Sequence, residues 1–102
     1  MHDPRVILSP AETGSELDGS GFTHEDHLVG AFRTADFASA VRLLDAVAVE
    51  ADAADHHPDV HLGWGRISFE LSSHDVGGVT SRDVALARRI RELAEEQGAK
   101  PV

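Results

Sequence analysis

His56 and His57 stand together before Pro58, His61 follows in "DHHPDVHLGW", and His74 lies further on in "ELSSHD". An imidazole titrates near neutral pH, so it can give or take a proton under ordinary conditions. Two imidazoles facing one cavity, His56 from a helix corner and His74 from a strand end, can divide such work as acid and base. The chemistry suits a dehydration. In a carbinolamine the leaving hydroxyl must gain a proton while the neighbouring nitrogen loses one, and neither a metal nor a covalent nucleophile is required. Asp52 lies one helical turn before His56, where a carboxylate can hydrogen-bond an imidazole and fix its tautomer.

The same residues also admit a metal reading, with His56, His57 and His61 joined by Asp55 or Asp59. Pro58 opposes it. Proline breaks the helical register that would bring His57 and His61 onto one face, and adjacent side chains of an extended segment point to opposite sides. No metal is expected. His2, His24, His27 and His61 are read as surface or capping residues, because nothing around them narrows their role.

The elements that must position these side chains follow from periodicity. "LVGAFR", Leu28 to Arg33, reads as a strand, and a helix runs from about Asp36 to Ala54, with Phe37, Val41, Leu44, Ala48 and Ala51 at three- and four-residue spacing. Pro58 disfavours helical backbone at His57 and sets the histidine pair at a helix-to-strand corner. "VHLGW" and "RISFELSS" form a hairpin whose positive-φ residue comes from Gly65-Arg66, and Ile67, Phe69 and Leu71 alternate with polar residues as a half-buried strand does. Thr80 is the N-cap of a last helix, with Asp83 in its first turn. Val84, Ala87, Ile90 and Leu93 make its apolar stripe, and Gly98 and Pro101 stop it. These pieces predict an α+β domain, an antiparallel four-stranded sheet with helices on one face. Residues 1–27, rich in glycine and proline, predict a weakly structured segment ahead of a domain over residues 28–98, in which any helix of "SPAETGSEL" is short and marginal.

Composition narrows the partners. The 102 residues suit one domain, and 18 acidic against 9 basic side chains give a charge of −9, which repels a nucleic-acid backbone. The arginines at 82, 88, 89 and 91 alternate with acids on a solvated helix face. No apolar run approaches the roughly 20 residues of a membrane span. Without cysteine there is no disulfide or thiolate chemistry, and the start "MHDPRVILSP" lacks the pattern of a secretory signal, so the expected compartment is the cytoplasm.

The stretch "DAADHHPDVHLGWGRISFELSSHDVGGVTSRD" resembles the signature of the pterin-4a-carbinolamine dehydratases. An acidic residue (Asp52), His56-His57-Pro58, an aromatic (Trp64), a later histidine (His74) and an aspartate (Asp83) fall at the family's spacings. The resemblance extends from about Phe32 to Glu96. It implies dehydration of a 4a-hydroxytetrahydropterin to a quinonoid dihydropterin without cofactor or metal. It also implies that His56, His57 and His74 bind the pterin and carry the proton transfers, with Asp52 in support. Of the three, His56 and His74 are read as the acid–base pair and His57 as positioning the substrate. Trp64 either packs under the site or is a strand-end core aromatic, and Asp83 either orients a histidine or caps the last helix. The N-terminus departs from the family pattern, with Gly14 inside "LSPAETGSEL" and Phe22 where a tryptophan is usual. Some relatives with this fold serve as dimerisation or assembly factors, so a scaffold role is the alternative. A homodimer or homotetramer is expected, both from the family and because a short sheet leaves a pairing edge open.

Overall fold

The computed structural model describes residues 3–102. Its elements are α1 (Pro10–Leu17), β1 (Phe22–His24), β2 (Leu28–Arg33), α2 (Phe37–Ala54), β3 (Asp59–Gly63), β4 (Arg66–Leu71), α3 (Ser81–Glu96) and β5 (Lys100–Pro101). The sheet is antiparallel in the order β1-β2-β4-β3, and β5 adds a short pairing to β2 beside β1. The expected four strands are thus joined by a fifth, made where the chain turns back after α3 through Gly98, whose φ is +76°.

Strand periodicity decides which face meets the helices. In β2 and β4, Leu28, Phe32, Ile67, Phe69 and Leu71 are buried, while Arg33 and Arg66 are exposed and Ser68 and Glu70 are partly so. Phe32 lies between Phe22 and Phe69 in tilted and edge-on contacts, with ring centroids 5.9 and 6.2 Å away. Burying each such ring is worth about 1.5–3 kcal/mol. Phe22 pairs with Gly30 across the strands, and its ring occupies the space that a side chain on Gly30 would need.

The helix stripes are only partly those expected. In α3, Val84, Ala87, Ile90 and Leu93 are buried as predicted, with Leu86 and Ala94 added. In α2 the buried stripe is Ala40, Leu43, Val47 and Ala51, and Phe37 is about half exposed. The helix carries apolar residues on two adjoining faces, so its periodicity supports both stripes, and packing against the sheet selects the one offset from Phe37, Val41, Leu44 and Ala48.

The N-terminal segment expected to be weakly structured holds α1 and β1. Ser9 Oγ accepts from the Glu12 amide and Glu12 Oε1 from the Ser9 amide, a reciprocal cap that offsets the helix-weakening Gly14. Leu8, Leu17 and Phe22 are buried, and the Leu8 amide donates to the Val79 carbonyl at 2.7 Å. Apolar burial and capping together outweigh the poor helix propensity. Among the described residues, no helix is long and apolar enough to cross a membrane.

Candidate active site

The histidine pair sits where α2 stops. Asp55 adopts left-handed backbone (φ 48°, ψ 45°), its amide donates to the Ala51 and Asp52 carbonyls, and the His56 amide also reaches the Ala51 carbonyl at 3.0 Å. This is the hydrogen-bond closure of a helix C-terminus, made here by an aspartate, one of the few side chains that tolerate the conformation. Pro58 then leads into β3.

That reversal gives the two imidazoles different partners. His56, nearly buried, places Nε2 2.5 Å from Asp83 Oδ1 in the first turn of α3. His57, exposed, places Nε2 2.8 Å from Asp52 Oδ1. Helical spacing points Asp52 at His56; the left-handed turn at Asp55 swings His57 back over the last turn of α2 instead.

Asp83 is fully buried and fully satisfied. Its Oδ2 accepts from the Ser73 hydroxyl and from the Thr80 amide, each at 2.9 Å, and Ser73 Oγ lies 2.8 Å from Thr80 Oγ1. The two readings of this aspartate are therefore simultaneous, since one carboxylate oxygen caps α3 and the other holds His56. Ser73 carries no local sequence signal for this role, because it reaches Asp83 across the loop that separates β4 from α3.

His74 stands on that loop, exposed. The loop is closed by a bridge between Ser73 and Gly78, with Gly77 at φ +73° supplying the turn. Asp75 accepts from Arg82 Nη2 at 2.8 Å, which ties the loop to α3. The Arg82 hydrogen bond, with its charge, holds the Asp75 carboxyl below the ordinary carboxylate range.

His56, His57 and His74 line one open cavity of about 480 Å³, together with Asp55, Asp75 and Arg82 among others. A cavity of this size falls within the range that holds small organic ligands. Its lining carries the Arg82 guanidinium and the carboxylates of Asp55, Asp59 and Asp75, and the imidazoles reach it from two segments well apart in sequence.

Trp64 is not part of this cavity. It occupies the turn between β3 and β4 and is 76% exposed, so neither placement expected for it, under the site or in the core, is found. Positive φ falls on Gly65 (69°), and Gly63 pairs with Arg66, so the turn is Trp64–Gly65 rather than Gly65–Arg66. That register puts the indole at the end of β3 opposite to Pro58.

The other described histidines have separate surroundings. His24 Nδ1 meets Thr13 Oγ1 at 2.8 Å, His27 Nε2 meets Glu70 Oε1 at 3.0 Å, and His61 is exposed opposite Ser68. His2 lies outside the described residues. Among the described residues, no three His, Asp or Glu side chains are grouped to hold a metal ion.

Comparison with known proteins agrees with this architecture. A protein from Nocardia farcinica, named as a candidate pterin-4-alpha-carbinolamine dehydratase, is 50% identical over 58 residues, which is 57% of this chain and 61% of that protein. The match thus spans less than two thirds of that relative's length. A relative of the same designation from Roseiflexus castenholzii is 37% identical over 90 residues, covering 86% of this chain and 97% of the relative. The crystal structure of a transcriptional coactivator/pterin dehydratase from Brucella melitensis superposes with a TM-score of 0.81 at 26% identity, over 87% of this chain and 99% of that one. The sequence model for pterin 4 alpha carbinolamine dehydratase matches residues 7–93, and the chain belongs to that family.

Proposed function

We propose that this protein dehydrates a 4a-hydroxytetrahydropterin to the quinonoid dihydropterin and water. The observation that carries this reading is the convergence of His56, His57 and His74 on one cavity, with His56 held by the buried Asp83. The reaction breaks the C4a–O bond. One imidazole, in its protonated form, gives its proton to the leaving hydroxyl, which departs as water; a second takes the proton from N5 as the C=N bond forms. Proton count and charge balance with no oxidant or reductant.

His56 and His74 serve as the acid–base pair. They approach the cavity from the end of α2 and from the loop after β4, so one substrate can lie between them. His57, tethered to Asp52, positions the ring. Asp83 supports His56. General acid–base catalysis of this kind is worth about 10²- to 10⁴-fold in rate.

The chain also associates with itself, as a dimer or a dimer of dimers. The outer edge of β3 is unpaired among the described residues, and α2 leaves Phe37 and Val49 exposed beside the partly buried Val41 and Leu44. Both features favour burial against a second copy.

The test is turnover of chemically generated 4a-hydroxytetrahydropterin, followed by the loss of its absorbance. Acceleration over the spontaneous dehydration supports the enzyme. A rate equal to that in buffer overturns it and favours the scaffold reading.

A further inference from the structure

The buried hydroxyls behind the site have only one self-consistent arrangement of protons. A carboxylate accepts and does not donate, so at Asp83 the protons come from Ser73 Oγ, the Thr80 amide and His56 Nε2. Ser73 has a single hydroxyl proton, and Asp83 Oδ2 receives it. The 2.8 Å contact between Ser73 Oγ and Thr80 Oγ1 must then be a donation from Thr80 to Ser73. Thr80 Oγ1 in turn accepts from Arg82, through the amide and Nε at 3.3 Å each, and Arg82 Nη2 donates outward to Asp75 Oδ1.

The result is a directed chain. Arg82 donates to Thr80, Thr80 to Ser73, and Ser73 to Asp83, which receives His56 from the other side. Both ends of the chain are at the cavity. His56 is at one end and Arg82, which holds Asp75, at the other; Ser73 and Asp75 flank His74 in sequence, so their bonds to Asp83 and Arg82 fasten its loop to α3. Ser73, Thr80 and Asp83 are fully buried, so water does not compete for the bonds among these three.

We propose that Ser73, Thr80 and Arg82 are positioning residues, a hydrogen-bond relay that fixes His56 as the Nε2–H tautomer and sets the loop bearing His74 against it. Asp83 occupies the Nε2 side of His56, so Nδ1 is the nitrogen that exchanges a proton with substrate. Rotation of the Asp83 carboxylate would disturb the tautomer, and Ser73 is the side chain that prevents it. Arg82 does the same for the loop, through Asp75. The kinetic consequences of the relay rest on the dehydratase reading; the tautomer does not.

The experiment uses the full chain, labelled with ¹⁵N, and reads the imidazole tautomers from two-bond ¹H–¹⁵N correlations. Wild-type His56 is expected as Nε2–H. In Ser73→Ala the ratio of Nε2–H to Nδ1–H falls about fivefold, the effect of one net hydrogen bond, and Ser73→Thr, which keeps a hydroxyl, restores it. In the dehydratase assay Ser73→Ala lowers kcat about tenfold and leaves KM within about twofold, as expected for loss of orientation rather than of binding. Arg82→Gln, a change at a partly exposed side chain that spares the core, lowers kcat severalfold with KM again preserved. A wild-type His56 in the Nδ1–H form, or a folded Ser73→Ala with an unchanged tautomer ratio, overturns the relay. Arg82→Gln with wild-type kcat in an active enzyme overturns its arm toward His74. A wild-type chain that shows Nε2–H and the Ser73→Ala shift but turns over no pterin upholds the relay and removes the dehydratase reading, so the two failures are distinct.

Discussion

His56 Nε2 lies 2.5 Å from Asp83 Oδ1, a contact between residues 27 positions apart that joins the C-terminus of α2 to the first turn of α3. One carboxylate thereby serves the helix cap and the site. Asp83→Asn should therefore impair both. An amide keeps the shape but has one oxygen for three donors, so a buried donor is left facing an NH₂ group. Denaturant unfolding should show a loss of about 1–3 kcal/mol, and turnover should fall by about 10² or more. Stability and rate both at wild-type level would mean that Asp83 does not hold His56.

The loop that carries His74 offers a test by pH. Asp75 is held below its ordinary value of 3.8, first by the Arg82 hydrogen bond and then by its charge. A depressed folded value contributes stability that is complete above the unfolded value and is lost as pH falls through the lower folded one. The window therefore lies below pH 3.8. Titration of the Asp75 carboxyl carbon by NMR should place its midpoint below that of an unstructured aspartate, and Arg82→Gln should move it up. An unmoved midpoint would mean that the ion pair does not form in solution.

A third prediction concerns the packing of β1 on β2. A Cβ on Gly30 would meet the Phe22 ring at 2.7 Å, closer than carbon atoms pack. Phe22 is buried against Phe32 and cannot swing away freely. Gly30→Ala should cost about 1–3 kcal/mol, measured by denaturant unfolding, and Gly30→Ala combined with Phe22→Leu should recover part of it. A neutral Gly30→Ala would show that β1 yields.

Self-association is tested by light scattering over a dilution series. The mass should be a multiple of the 10.9 kDa chain at micromolar concentration. A mass that stays at 10.9 kDa would show that the β3 edge and the open face of α2 are tolerated in water.

What the sequence discloses here depends on how local each signal is. The strand at Ile67, Phe69 and Leu71 is legible because period two needs only a few residues, and Thr80 with Asp83 is legible as a cap because the motif spans one helical turn. The stripe of α2 is legible only to within one position, since a helix apolar on two faces does not declare which one the sheet covers. α1 is underestimated from Gly14, although Ser9 and Glu12 carry the capping signal that rescues it. Histidine spacing brings His56, His57 and His74 into view together. The exchange of partners between Asp52 and Asp83 could not be read, because it turns on a left-handed backbone at Asp55 and on a contact across 27 positions. Trp64 shows the reverse case, an aromatic at a suggestive spacing that a one-residue shift of the turn moves from the end of the strand into the exposed turn itself.

The most direct measurement is stopped-flow dehydration of 4a-hydroxytetrahydropterin by the wild-type chain and by His74→Ala. His74 is exposed on its loop, so its truncation leaves the core untouched. The wild type should dehydrate the substrate well above the spontaneous rate, and His74→Ala should lose about 10²- to 10⁴-fold of that acceleration while unfolding at the wild-type denaturant midpoint. A wild type no faster than buffer, or a His74→Ala variant as fast as the wild type, would contradict the account.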